Sequence, residues 1–130
     1  MENIRVPVSP GEVLDKITIL EIKSERMTDP AKVANVRTEL ALLQETWARA
    51  VQEDDTVREL HTQLKVINEA LWEIEDDIRD KERAKEFDQR FIELARSVYF
   101  TNDRRSEVKK QLNLHLGSQI IEEKSYQDYS

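Results

Sequence analysis

Three observations on this sequence predict an all-α fold, an elongated antiparallel bundle of about four helices with short extended segments at its N- and C-termini. Charged residues make up 36% of the 130, while there are only two glycines and three prolines, a balance of long exposed helices rather than of turn-rich β folds. Aliphatic residues recur every three or four positions along successive stretches, and helix-starting and helix-stopping residues stand between those stretches. One core accounts for the 38% hydrophobic content, so residues 1–130 are read as a single domain, with 1–8 as a lead-in and 118–130 as a tail.

The lead-in alternates weakly and contains Pro7, which reads as extended chain. Ser9-Pro10-Gly11-Glu12 then has the form of a capping box, in which the Ser9 hydroxyl takes the Glu12 N–H and the Glu12 carboxylate returns to the N–H of Ser9. Pro10 falls where its missing donor costs nothing, and Val8 with Val13 are spaced as a hydrophobic staple. The first helix should run from about Pro10 to Met27, with Val13, Ile17, Leu20 and Met27 on one face. Ile19 and Ile22 fall off that face; a helix apolar on several sides is buried by several neighbours, which makes this one the expected central element.

Asp29 and Pro30 supply the next N-cap and first helical residue, and Val33, Val36, Leu40, Leu43 and Trp47 follow as an a/d stripe. The cluster Glu53-Asp54-Asp55 with Thr56 marks a break and a new N-terminus, where carboxylates favour the macrodipole. Val57, Leu60, Leu64, Ile67, Leu71, Ile74 and Ile78 then hold the 3–4 alternation without a miss. A helix from Thr56 to about Ala84 is about 43 Å long at 1.5 Å per residue, against about 36 Å for a spherical domain of this size. The molecule is therefore expected to be elongated. Asp80 to Glu86 reads as an exposed helix end or loop tip. The fourth helix carries Phe87, Phe91, Leu94, Val98, Val108 and Leu112 and stops at Gly117, its period interrupted at Thr101-Asn102-Asp103. At that interruption the helix either breaks or turns polar groups inward. Gln119 to Lys124 could pair with Ile4 to Val8 as a small two-stranded patch.

Composition excludes several functions. Without cysteine there is no disulfide framework, thiolate nucleophile or cysteine-ligated zinc. The opening residues lack a basic region followed by an apolar one, and no stretch reaches the ~18–20 apolar residues that span a bilayer, so the expectation is a cytoplasmic protein without membrane insertion. A net charge of −7 opposes nonspecific nucleic-acid binding. That charge is uneven, −7 over residues 51–80 and +3 over 81–116.

Two clusters could carry chemistry. Glu73, Asp76 and Asp80 belong to an acidic run at helical spacing, the arrangement by which all-α nucleotide pyrophosphatases hold Mg²⁺; the alternative is a solvated face with ordinary i,i+4 pairs such as Glu75 with Arg79. Arg96, Asn102, Asp103, Arg104, Arg105 and Lys109, with Trp72, form a polar and basic set suited to a phosphate-bearing ligand. The competing expectation is that these arginines neutralise the acidic flank of the third helix. Trp47, Trp72, Tyr99 and Phe100 could form a stacking platform, but aromatics at helical spacing are more often core or dimer-interface anchors, and His61 and His115 have no partner at metal-ligand spacing. P-loop, dinucleotide and nucleophile-elbow motifs are absent, so no catalytic residue and no resident cofactor is assigned; Mg²⁺ enters only with the acidic cluster.

The stretches VPVSPGEVLDKITILEIKSER, LWEIEDDIRDKE and FIELARSVYFTNDRRSEVKKQLN with GSQIIEEKSY resemble a family of small bacterial proteins of no assigned function, members of which lie near surface-polysaccharide genes. The resemblance implies a bacterial, cytoplasmic, whole-chain domain. The opening helix is also similar in texture to the first helix of all-α chorismate mutases, which grip a dicarboxylate with arginines and a lysine; Lys16, Lys23 and Arg26 supply part of such a set. Taken together, the reading favours a non-enzymatic module that homodimerises and docks a protein partner, linked to envelope polysaccharide synthesis. The alternative is a small enzyme or binding domain for a nucleotide or sugar nucleotide.

Overall fold

The computed structural model describes residues 1–129 and contains four helices among them: α1 (Pro10–Arg26), α2 (Pro30–Ala50), α3 (Asp55–Ala84) and α4 (Gln89–His115). Each begins at a side chain that satisfies otherwise orphaned N–H groups. Ser9 Oγ accepts from Glu12 N at 3.2 Å, Asp29 from Ala31 and Lys32, Asp54 from Val57 at 2.8 Å and Asp88 from Phe91 at 3.0 Å. The α3 helix ends on Lys85 with φ +56°, a left-handed residue whose N–H reaches Glu82 O. Gly117, with φ +67°, follows α4 as the expected stop.

Some local expectations are corrected. Only half of the capping box forms, because the Glu12 carboxylate turns to Lys109 at 2.9 Å. Val8 remains exposed, so it does not close a staple over Val13. Phe87 precedes Asp88 and lies outside α4. No strand occurs among the described residues, and the lead-in and tail do not pair as a sheet. At Thr101-Asn102-Asp103 the helix does not break: it continues and buries Thr101.

The helices alternate in direction. Gly11 meets Asn113 and Asp15 meets Arg105, so α1 runs antiparallel to α4. Asp54 meets His115 at one end of α3 and Lys81 meets Asp88 at the other, so α3 and α4 form a long hairpin. As its two-sided apolar pattern implies, α1 is central and packs on all three other helices, whereas α2 lies beside α1 alone. The core joins Leu14 and Ile17 of α1, Trp47 of α2, Val57, Leu60 and Leu64 of α3, and Val108 and Leu112 of α4.

The first half of the α3 stripe is thus fully buried, but Ile67, Leu71, Ile74 and Ile78 are half-buried. For Ile74 and Ile78 this follows from length: with 17 residues α1 spans about 26 Å, while the 30-residue α3 spans about 45 Å, so the last turns of α3 have α4 beside them and α1 no longer. Ile67 stands at the edge of the core and Leu71 at an opening between α1, α3 and α4. The accessible surface of 9239 Å² exceeds the roughly 7,100 Å² expected of a compact chain of this mass, in keeping with an elongated bundle.

Candidate functional site

A buried polar hub lies where α1 crosses α3 and α4, and glycine makes it possible. A Cβ on Gly11 would stand 2.7 Å from the Lys109 carbonyl oxygen, so only glycine lets the two backbones come this close. Gly11 N–H donates to Asn113 Oδ1 at 2.7 Å and satisfies one orphan donor of the first turn. One turn further along α1, Asp15 is only 1% exposed. Its Oδ1 accepts from Arg105 Nε at 2.9 Å and from Asn68 Nδ2 at 2.9 Å, while Oδ2 accepts from Arg105 Nη2. Asn68 gives its other amide hydrogen to Thr18 Oγ1 at 2.9 Å, and the Thr18 hydroxyl donates to the Asp15 carbonyl.

The electrostatics match this geometry. The hydrogen bond from Arg105 to Asp15 holds the guanidinium above its ordinary pKa, against the opposing effect of burial. Burial pulls Lys109 down, but its hydrogen bond to Glu12 and the fields of Asp15 and Glu12 outweigh that and leave the ammonium above its usual value. Lys109 is also 3.2 Å from Glu122 of the tail and 3.8 Å from Asp15. A charge as deep as Asp15 is tolerated because every strong partner it needs is in place.

Directly beside the hub a cleft of about 440 Å³ opens between three helices. Ile19, Ile22 and Lys23 come from α1; Asn68, Leu71, Trp72, Glu75, Asp76 and Arg79 from α3; Asn102 and Arg105 from α4. Its apolar surface is Ile19, Ile22, Leu71 and the Trp72 ring. Several polar groups around it have no hydrogen bond or ion pair among the described residues: the Lys23 ammonium, the Asp76 carboxylate, the Trp72 indole N–H and Asn68 Oδ1. Asn68 is only 5% exposed, yet that oxygen is left without a partner because both amide hydrogens point the other way, to Asp15 and Thr18. Asn102 Oδ1 accepts from Arg105 at 3.4 Å and its amide donors are unused. Glu75 and Arg79 pair with each other at 3.2 Å.

Of the residues singled out from sequence, Trp72, Asn102, Arg105 and Asp76 share this cleft. The others disperse. Arg96 lies 6.0 Å over the Phe100 ring, Arg104 reaches Thr101, and Asp103 accepts from the Tyr129 hydroxyl at 2.5 Å, a bond that pushes the phenol up to about 12. Lys109 belongs to the hub. Glu73 pairs with Arg26 at 3.4 Å and Asp80 with Arg83 at 3.2 Å, and among the described residues no group of three His, Cys, Asp or Glu could hold a metal ion. The expected neutralisation of α4 arginines by α3 is also corrected: Arg105 answers Asp15 of α1.

A larger hollow of about 570 Å³ lies between the tail and α4, lined by Tyr99, Asp103, Tyr126 and Tyr129 among others. Tyr129 engages Asp103 and Lys124 lies over the Tyr126 ring, and every residue named is exposed. The α1/α3/α4 cleft is the better candidate, because three helices frame it and buried or half-buried Ile22, Asn68, Trp72 and Arg105 fix its walls. Asp15 and Asn68 escaped the sequence reading because neither falls on the aliphatic stripe of its helix; Asn68 lies beside it, four after Leu64 and three before Leu71.

Fold and site together define a small all-α bundle with an interhelical polar cleft built against a buried ion pair. The chain belongs to DUF6165, a family of unknown function, whose sequence profile matches residues 4–129. No curated protein and no solved structure matches it. No helix among the described residues is long and apolar enough to cross a membrane.

Proposed function

We propose that this protein is a binding domain for a small organic ligand, held in the cleft between α1, α3 and α4. The observation that carries the reading is the convergence of Lys23, Asn68, Trp72 and Asp76, each with unused polar capacity, around an apolar surface. Among the described residues no buried side-chain polar atom lacks a partner, so Asn68 Oδ1, with both amide hydrogens used behind it, is open to solvent at the cleft and free to accept a ligand hydrogen. The hub behind holds Asn68 and Arg105 in fixed rotamers, the preorganisation that binding requires. The four cations first expected to share one phosphate are divided among Phe100, Thr101, Asp15 and Glu12, so a phosphate grip has the weaker support.

A thermal-shift screen with nucleotides, sugar nucleotides and amino acids, each with and without Mg²⁺, tests the reading. A ligand at a hundred times its Kd adds about 2.7 kcal/mol, a rise of roughly 10 °C for a chain of this length, and Trp72→Ala should abolish it. No shift with any compound would remove the proposal.

A second reading, self-association and partner docking in envelope polysaccharide synthesis, is favoured by α2. Its outward side carries exposed Ala34, Ala41, Leu42 and Ala48, and α2 has no helical neighbour but α1. Light scattering at tens of micromolar decides this reading, and a strict monomer would end its homodimer form.

A further inference from the structure

Resting on that assignment of the cleft, we infer that its ligand is a zwitterion, an α-amino acid with an apolar side chain. The inference comes from charges left over after pairing. Of the charged groups lining the cleft, Glu75 is met by Arg79 and Arg105 by Asp15. Two ionised groups of the cleft remain without an ion pair among the described residues, Lys23 on α1 and Asp76 on α3. They come from different helices and do not pair with each other, so the site offers one cation and one anion, each free to meet a ligand charge.

Each simpler ligand class leaves one of them unmet. A nucleotide or other polyanion would find Lys23 but bring its charge up to Asp76 and the Glu75 carboxylate. An amine would find Asp76 and face Lys23 and Arg79. A ligand carrying both charges meets both. Its carboxylate would sit on Lys23, with the unused Asn102 amide as a second donor, and its ammonium on Asp76, with the free Asn68 oxygen taking another hydrogen. The side chain would lie against Trp72, Leu71 and Ile19, the apolar part of a cleft whose other charges, Glu75, Arg79 and Arg105, are already paired.

Calorimetric titration of the full chain with L-leucine and L-phenylalanine tests the inference, alongside analogues that each delete one charge, the decarboxylated amine and the N-acetyl acid, with a nucleoside monophosphate as the polyanion. The intact amino acid should bind at least tenfold more tightly than either analogue. Lys23→Met should erase the advantage over the amine, and Asp76→Asn the advantage over the N-acetyl acid, with melting temperatures unchanged because neither side chain supports the fold. Amino acids and single-charge analogues binding equally would overturn the inference, as would nucleotide binding alone, which would still leave the cleft a binding site. Binding of none of these compounds, together with an empty thermal-shift screen, would overturn both.

Discussion

The Asp15–Arg105 pair allows a quantitative test of how the hub is built. Changing Asp15 to Asn keeps its shape and removes its charge, leaving Arg105, whose side chain is only 28% exposed, with a neutral acceptor. Breaking one side of a buried pair costs ~3–5 kcal/mol; since Asn still accepts and the guanidinium is partly solvated, about 3 kcal/mol is expected. Arg105→Met abandons the carboxylate at 1% exposure with Asn68 as its remaining close donor, Lys109 standing off at 3.8 Å, and should also cost about 3 kcal/mol. The double variant removes both charges together, so its loss should stay near 3 rather than reach the additive 6 kcal/mol, a coupling of at least about 2 kcal/mol. With unfolding entropy near 2.1 cal/mol/K per residue, each single change lowers Tm by roughly 11 °C. Urea melts followed by circular dichroism give all four corners of the cycle. Additivity within about 0.5 kcal/mol would mean that the two groups do not stabilise one another and that the hub is misread.

Other consequences are equally direct. Gly11→Ala should destabilise by about 2 kcal/mol, because overpacking costs ~1–3 and a strained buried hydrogen bond about 1, while alanine's better helix propensity returns only ~0.5–1; an unchanged urea midpoint would mean α1 and α4 are further apart than described. Lys85→Gly should raise stability by about 1 kcal/mol, since it removes a side chain from a left-handed position and forfeits only an exposed 3.6 Å contact with Glu82; a loss would count against that cap. The hydrogen bond to Glu21 raises the His61 pKa above 6.5, with burial opposing. A raised folded-state value means the contribution is complete below 6.5 and is lost as pH climbs through the folded-state value. Unfolding midpoints of His61→Gln and the parent should therefore differ in mild acid and converge in mild alkali, and a gap that widens with pH would reverse the assignment.

The architecture was largely legible in residue order, and the site only partly. Ser9-Pro10, Asp29-Pro30, Asp54 and Gly117 are local signals that act within one turn, so helix starts and stops are readable without tertiary knowledge. The centrality of α1 followed from Ile19 and Ile22 falling outside its main stripe. What could not be read was which charges meet. Asp15 and Arg105 stand 90 residues apart, and nothing in the neighbours of Asp15 separates it from the surface acids Glu21 and Glu25. Its helix supplied the usable hint, since Gly11, Asp15, Thr18 and Ile22 share one line of α1, where small and polar residues replace aliphatic ones. The cation cluster on α4 was read from sequence proximity, but a helix distributes neighbours around its circumference, and Arg104 and Arg105 consequently answer different partners.

Because α2 runs along α1 and enters the shared core mainly through Trp47, its attachment is the most separable in the bundle. Amide exchange there should proceed through partial opening, while protons of α1 and the α3/α4 hairpin await global unfolding. The two tryptophans sit on either side of that division: Trp47 is sealed at the base of α2, its indole N–H bound to Glu53 at 2.9 Å, and Trp72 stands in the cleft. One chain therefore carries two intrinsic fluorophores, one reporting the undocking of a peripheral arm and the other reporting occupancy of the cavity.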